Sequence, residues 1–293
     1  VHFGCSSIDS CTTSKPSIPA DPNYQTITEN FNDNGTIINL HKVEFYKTKN
    51  EGKYGGAILI KSIKVDCTID DCKFTSCEAR FGGAISIEYA GSGVSNTARI
   101  TNSYFTCCNA EKDGGALYIG NTQQTIQPFL IEGCTFTSNT AGEEGGAIMG
   151  RVRDVVTINK CTFDDNTAET EGASIWLSVG GSAKDDKNNT FIFNDNNFIF
   201  TPTKASNVYI ETVKNTNNVN SKNANLYFGD NKFSTKSSNV QDFKHLKIVE
   251  QFLIESINFN GCNCVQQDSN TFSIPNIGYP IDHVDFNCNS NSC

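Results

Sequence analysis

The stretch that decides the fold is residues 131–148, Ile-Glu-Gly-Cys-Thr-Phe-Thr-Ser-Asn-Thr-Ala-Gly-Glu-Glu-Gly-Gly-Ala-Ile. Its first phrase is an apolar residue followed five positions later by Phe. Eight copies of this phrase occur, and they end at Phe45, Phe74, Phe105, Phe136, Phe163, Phe198, Phe233 and Phe259. Successive copies lie 26 to 35 residues apart, a period that indicates one structural unit stacked on the next.

A second phrase, Gly-Gly-Ala followed by Ile or Leu, lies between the Phe copies. It begins at Gly55, Gly82, Gly114 and Gly145, with a degenerate copy at Gly172. The apolar segments that follow it alternate with a period of two, which favours strands, and they are too short for helices. Helical repeats would need two amphipathic runs of roughly ten residues or more in each unit. The sequence therefore predicts a parallel β-helix, in which equivalent residues of neighbouring coils are stacked about 4.8 Å apart.

A third element, Phe-x-x-Asn-x-Ala, is clearest at residues 136–141 and 163–168. We interpret Asn139 and Asn166 as corner residues, because Asn tolerates the left-handed backbone of a tight turn. Together the two motifs resemble the repeats of the chlamydial polymorphic membrane proteins over roughly residues 40 to 210. The resemblance implies a right-handed β-helix of the pectin-lyase-like kind, displayed on the cell surface as an adhesin. The copies at Phe198 and Phe233 depart from it, because they lack the Asn.

We therefore predict an all-β protein, a right-handed parallel β-helix (solenoid) of about eight coils with N- and C-terminal caps. Residues 37–262 are assigned to the β-helix, residues 1–36 to the N-terminal cap and residues 263–293 to a C-terminal cap or connector. The net charge of −9 argues against a nucleic acid or an anionic membrane as partner, because both require a basic surface. Because no apolar run reaches about 18 residues, we expect no membrane-spanning segment.

The 13 cysteines bear on the cellular compartment. Cys77 and Cys108 both lie three positions after Phe, whereas Cys134 and Cys161 both lie two positions before it. The spacing of neighbouring coils is within the Cα separation of a disulfide, so these residues are candidates for two bridges. The alternative is that they are inward-facing thiols that pack as small apolar side chains. Such a density of cysteine is typical of an oxidising compartment, and we expect an extracellular or cell-surface location.

Further candidate sites lie outside the repeats or at their edges. Bridges that would hold the predicted caps are Cys5 with Cys11 and Cys288 with Cys293. The acceptor sequons at Asn34 and Asn188 are glycosylation candidates if the source is a secreting eukaryote. The four His are scattered and C-x2-C pairs are lacking, so we predict no metal site, and no cofactor is indicated.

The insertions point to one side of the solenoid. The distance from each Phe to the next Gly-Gly-Ala segment is nearly constant, whereas the distance from there to the next leading apolar residue varies. The insertions are at residues 88–98, 120–128, 178–190 and 211–225. Repeat proteins commonly place binding loops in this way, although loops rich in Asn are equally compatible with solvated decoration.

Catalysis is the competing interpretation. Asp195 and Asp230 occupy the same repeat position, three before Phe, and would place two carboxylates about 5 Å apart. The alternative is a solvent-exposed turn, and no cationic partner accompanies the two acids. We therefore predict no enzymatic activity, and binding to a protein or glycan ligand in the manner of an adhesin. A structural subunit of an extracellular filament or coat, assembled head to tail, and a polysaccharide lyase or hydrolase are the alternatives.

Overall fold

The computed structural model describes residues 27–31, 36–62, 65–89, 97–121, 129–152, 155–180, 189–201, 205–213, 224–235, 246–250, 254–260, 263–265, 271–273 and 283–286. These residues form strands and contain no helix, and hence no helix that could span a membrane.

The strands follow one another in turns of the solenoid. The first turn and the strand before it comprise β1 (Ile27–Phe31), β2 (Thr36–His41), β3 (Glu44–Tyr46), β4 (Lys49–Tyr54) and β5 (Ile58–Ser62). The second turn comprises β6 (Val65–Asp70), β7 (Lys73–Thr75), β8 (Glu78–Phe81) and β9 (Ile85–Tyr89). The third comprises β10 (Thr97–Thr101), β11 (Tyr104–Thr106), β12 (Asn109–Ala110) and β13 (Leu117–Asn121). The fourth comprises β14 (Phe129–Glu132), β15 (Thr135–Thr137), β16 (Thr140–Ala141) and β17 (Ile148–Val152).

The later turns are simpler. The fifth turn still has four strands, β18 (Val155–Asn159), β19 (Thr162–Asp164), β20 (Thr167–Ala168) and β21 (Ile175–Gly180). The sixth turn has three strands, β22 (Asn189–Asn194), β23 (Asn197–Phe200) and β24 (Val208–Val213). The seventh also has three, β25 (Ala224–Gly229), β26 (Lys232–Thr235) and β27 (Leu246–Glu250). The remaining strands are β28 (Ile254–Asn260), β29 (Asn263–Val265), β30 (Thr271–Ser273) and β31 (His283–Phe286).

Equivalent strands of successive turns pair in parallel and form four sheets. Sheet A contains β1, β5, β9, β13, β17, β21, β24, β27 and β31, and sheet B contains β2, β6, β10, β14, β18, β22, β25 and β28. Sheet C contains β3, β7, β11, β15, β19, β23, β26, β29 and β30, and sheet D contains β4, β8, β12, β16 and β20. The predicted fold class, an all-β parallel solenoid, is confirmed. The predicted count of about eight coils is corrected, because only five of the described turns have all four strands.

Near the C-terminal end, two antiparallel strands cover the last strands of sheets A and C. β31 pairs antiparallel with β27 in sheet A, and β30 pairs antiparallel with β29 in sheet C. The parallel sheets also extend beyond residues 37–262, because β1 pairs in parallel with β5 and β29 with β26.

A ladder of Phe rings fills the interior beside sheet C. Consecutive rings are 4.8 to 5.0 Å apart between centroids, and their planes are within 3° to 8° of parallel. The ladder consists of Phe45, Phe74, Phe105, Phe136, Phe163, Phe198 and Phe233. The prediction that Phe259 is the eighth member is wrong, because Phe259 lies opposite Phe228 in sheet B, and Cys264 lies opposite Phe233. Phe259 therefore occupies the sheet B position of Phe228, and the ladder position of this turn, opposite Phe233, is held by Cys264.

The two Gly of each pair have different physical roles. The first adopts a left-handed backbone, as at Gly114 with φ of 69°. The second has no positive φ, but a Cβ on Gly115 would lie 2.0 Å from the carbonyl oxygen of Gly146 in the next turn. Gly is therefore required there by the close approach of two backbones.

Our interpretation of Asn139 and Asn166 as left-handed corner residues is wrong. The positive φ belongs to the residues before them, Ser138 and Asp165. Both Asn side chains are buried and form a ladder: the Asn139 side chain accepts from Cys108 N at 2.9 Å, and the Asn139 backbone N–H donates to Asn166 Oδ1 at 3.0 Å. The Asn amides thus satisfy backbone groups that the corner leaves without a strand partner.

The four candidate bridge cysteines of the coils are free, buried thiols in two corner columns, Cys77 with Cys108 after the sheet C strands and Cys134 with Cys161 before them. Cys108 Sγ lies 3.6 Å from the carbonyl oxygen of Phe74, the contact that Asn139 makes one turn later to Phe105. The structure contains no bond from Cys77 to Cys108 or from Cys134 to Cys161, so the alternative interpretation, small packed thiols, describes it. In a parallel ladder the Cα–Cβ bonds of equivalent residues point the same way, whereas a disulfide needs Cβ atoms about 3.8 Å apart.

The predicted insertions all lie at one corner of the solenoid. Each begins near the end of a sheet A strand and ends near the start of a sheet B strand: β9 to β10, β13 to β14, β21 to β22 and β24 to β25. Their central parts lie outside the described residues, as do Cys5, Cys11, Cys288, Cys293, Asn34 and Asn188.

Candidate binding face

The outer face of sheet A carries a column of large side chains. The residues before and after it on each strand, such as Leu117 and Ile119, belong to the interior core, so the middle residue points outward. The outward column contains Leu59, Ser86, Tyr118, Met149, Trp176, Tyr209 and Lys247. Residues from this column and from the neighbouring corner form one apolar cluster, which we call the aromatic stripe: Tyr54, Phe81, Tyr118, Met149, Trp176 and Tyr209.

The aromatic stripe has a buried centre and partly exposed ends. Met149 and Trp176 are 0% and 4% exposed, and Tyr118 is 7% exposed. Tyr54 and Phe81 at one end, and Tyr209 at the other, are partly exposed. Tyr54 and Phe81 are stacked with ring centroids 4.9 Å apart, whereas Trp176 and Tyr209 are 6.0 Å apart. The buried members thus support three rings that remain partly exposed.

Carboxylates lie along the edge of the stripe. Asp113, Glu144 and Glu171 each precede the first Gly of a repeat, the position that Tyr54 and Phe81 hold in earlier turns. Asp113 Oδ1 accepts a hydrogen bond from Glu144 N at 3.3 Å, and Glu144 is bridged in parallel to Glu171. Stacking of the turns therefore places acids of three successive turns in one column.

Glu144 is the carboxylate with the most strongly perturbed acidity. Burial, together with Asp113, Glu211 and Glu143, raises the pKa of Glu144 to about 7, although Arg151 opposes the change. Burial also raises the pKa of Asp113. A carboxyl group that titrates near neutral pH in an outer face is typical of functional sites.

The negative charge of Glu171 is compensated by hydrogen-bond donors and a cation of the same chain. Its carboxylate accepts from Ser206 N at 3.0 Å and Ser206 Oγ at 2.7 Å, and it forms an ion pair with Lys247. Burial alone would raise the pKa of Glu171, but these contacts outweigh it and lower the pKa. The Lys247 ammonium group also lies 5.1 Å from the centroid of the Tyr209 ring. Burial and the nearby Glu211 raise the pKa of Tyr209 to about 12, so its hydroxyl stays neutral.

The carboxylates that the sequence suggested lie elsewhere. Asp195 and Asp230 are exposed turn residues with φ of 52° and 50°, in a column that also includes Asn102 and Lys160. They follow sheet B strands and are separate from the stripe. Sequence reasoning missed the outer face because it followed the Phe register. The signal in the sequence is that the outward positions of these alternating strands, where polar residues are expected, hold aromatic residues: Tyr118, Trp176 and Tyr209. Among the described residues, no group of His, Cys, Asp or Glu could hold a metal ion.

The comparisons with known proteins agree with the repeat pattern. Residues 133–151 match the model of the Chlamydia polymorphic membrane protein repeat. This segment runs from the sheet B corner through Phe136 and the Gly pair to β17, and it contains Glu144 and Met149. The turn at the centre of the candidate face is thus similar to a Chlamydia polymorphic membrane protein repeat. No curated protein and no solved structure matches the chain.

Proposed function

We propose that the chain acts by binding, as an adhesin-like protein that is secreted or displayed on a cell surface. The observation that carries this proposal is the outer face of sheet A, where partly exposed rings lie beside carboxylates on a rigid, regularly stacked scaffold. Aromatic rings with nearby polar groups supply much of the binding energy in protein interfaces. The similarity of residues 133–151 to a surface-protein repeat supports the location.

A filament or coat subunit is less favoured by the described residues. The antiparallel strands β30 and β31 cover the last parallel strands of sheets C and A, which a following copy would otherwise pair with. Light scattering of the purified chain tests this point: a concentration-independent monomer is expected, whereas end-to-end polymers would favour the filament.

Carbohydrate cleavage is a second candidate function, because Glu144 combines a pKa of about 7 with the neighbouring carboxylate of Asp113. A protonated carboxylic acid and a carboxylate are the pair that glycoside hydrolysis uses. We nevertheless propose a protein without enzymatic activity, since Asp113 is buried beneath the face. Release of reducing ends from acidic and neutral polysaccharides by the wild-type chain, lost on Glu144→Gln, would replace the binding proposal.

The adhesion proposal is tested with fluorescently labelled chain on cultured epithelial cells. Saturable binding that unlabelled chain displaces is expected. Tyr209→Ser is expected to weaken it, while Tyr227→Ser serves as a matched control, because Tyr227 is 38% exposed on the outer face of sheet B. Absence of saturable binding by the wild-type chain would overturn the proposal.

A further inference from the structure

The candidate face already holds basic side chains of its own against its rings. At one end the Lys247 ammonium group lies over Tyr209 and pairs with Glu171. At the other end the Arg80 guanidinium carbon lies 5.5 Å from the centroid of the Phe81 ring. Attraction of a cation by an aromatic face is the shared feature of both contacts. The face therefore already holds two basic side chains of the same chain, Arg80 and Lys247, against its aromatic rings.

Acidic residues in the middle of the face could hold a third basic group. Glu143 is paired with Lys112, and Glu171 with Lys247. The Glu144 carboxylate accepts no hydrogen bond from any residue in the part of the chain that the structure describes. The charges of Asp113, Glu211 and Arg151 all act on Glu144, so acidic groups outnumber the basic group there. This excess is complementary to a positively charged partner.

A buried hydroxyl group gives independent support. Ser86 lies in the outward column between Leu59 and Tyr118, it is 0% exposed, and its Oγ has no hydrogen-bond partner among the residues that the structure describes. Buried polar groups are almost always satisfied in native proteins. The Ser86 hydroxyl, on the outer side of the sheet and next to Tyr118, is thus a polar group whose hydrogen-bonding capacity the described residues leave unused.

We infer that the outer face of sheet A binds a protein segment that presents a lysine or arginine side chain, with its charged group beside Glu144 and its aliphatic stem along the partly exposed ring of Phe81. The inference rests on the proposed binding function and adds the chemistry of the partner. Lysine and arginine suit the face because their stems cover apolar surface while their charged ends reach carboxylates. A neutral glycan would leave the excess charge uncompensated.

The test uses the full chain and a synthetic peptide of alternating Lys and Gly, with the matching Gln and Gly peptide as the uncharged probe. Isothermal titration calorimetry is expected to show binding of the Lys peptide alone. The double variant Glu144→Gln with Glu211→Gln is expected to weaken it about tenfold. The matched control is Asp195→Asn with Asp230→Asn, which removes the same number of carboxyl groups from exposed turns of the same protein and is expected to change affinity by less than about twofold. Equal weakening by both double variants would show general attraction to an acidic protein and would overturn the inference.

Two further measurements separate the face from its surroundings. Tyr54→Ser is expected to weaken binding of the Lys peptide, whereas Tyr104→Ser, at a 48% exposed ring of sheet C, is expected to leave it unchanged. Circular dichroism confirms that each variant keeps the β fold. If the Glu variants lose the peptide but the wild-type chain shows no saturable cell binding, the function proposal fails alone. If cell binding persists in these variants, the inference about the partner fails alone.

Discussion

Replacement of Asn139 by Ala tests the amide ladder, which is the least expected feature of the interior. The buried Asn139 side chain accepts from Cys108 N at 2.9 Å and donates to Phe105 O at 3.0 Å. Ala would leave both backbone groups without these partners. A buried polar group left unsatisfied costs about 1 to 3 kcal/mol, so the two together predict a loss of about 2 to 6 kcal/mol in the free energy of unfolding.

Urea denaturation followed by circular dichroism measures this loss by linear extrapolation. Asn159→Ala is the matched control, because the Asn159 side chain is partly exposed and donates at 3.2 Å to Glu132 Oε1 rather than to a buried backbone group. Asn139→Cys is expected to cost less than Asn139→Ala, since the Cys108 thiol already makes the equivalent contact to Phe74 O. A cost for Asn139→Ala no greater than that for Asn159→Ala would refute the ladder argument.

Three other predictions concern the coils. Phe136→Ala is expected to cost about 3 to 5 kcal/mol in urea denaturation, and Phe45→Ala, at the partly buried end of the ladder, clearly less; equal costs would contradict the continuous stack. Gly115→Ala is expected to prevent folding into the native solenoid, as judged by yield of soluble protein, because its Cβ would meet backbone atoms, whereas Gly120→Ala would meet the movable Tyr118 ring and is expected to be tolerated. Burial raises the pKa of the Cys67 thiol to about 12, so mass spectrometry is expected to find Cys67 unalkylated by iodoacetamide in native protein and alkylated after unfolding. Because the pKa of this thiol is higher in the folded state than its ordinary value of 9.0, the neutral thiol favours folding fully below about pH 9, and this contribution is lost as the pH rises toward 12; constant stability over that range would contradict it.

The inner side of the solenoid was readable from the sequence because its chemistry repeats. One Phe in each turn faces its equivalent in the next, and a single register accounts for Phe74, Phe105 and Phe136. The corners were not readable in the same way. The left-handed position is occupied by Ser138, Asp165 and Cys107, which share no side-chain type, so the more familiar turn residue, Asn, was assigned to it instead.

The disulfide prediction shows what a register alone leaves out. The repeat register placed Cys77 and Cys108 correctly in one column, but the disulfide prediction used only the separation of their Cα atoms and left out the parallel direction of their Cα–Cβ bonds. The common contact of these thiols and of Asn139 is a backbone carbonyl of the preceding turn. Whether a cysteine replaces an amide or forms a bridge is therefore a question of side-chain direction, which the repeat spacing does not contain.

The candidate face was hidden for a related reason, because its properties arise only when turns are stacked. In sequence, Asp113, Glu144 and Glu171 are ordinary acids about 30 residues apart before a Gly. Stacked, they form a column in which each carboxylate raises the free energy of its charged neighbours. The chain offsets this repulsion unevenly: Glu171 receives Lys247 from two turns later and both donors of Ser206, and Asp113 receives the N–H of Glu144. Glu144 receives no such donor from the described residues, so nothing of that kind offsets burial and the neighbouring acids, which raise its pKa to about 7. A cation supplied by a partner would therefore be stabilised more at Glu144 than at either neighbour, which is why the variants at Glu144, and not those at Glu171, are the decisive ones.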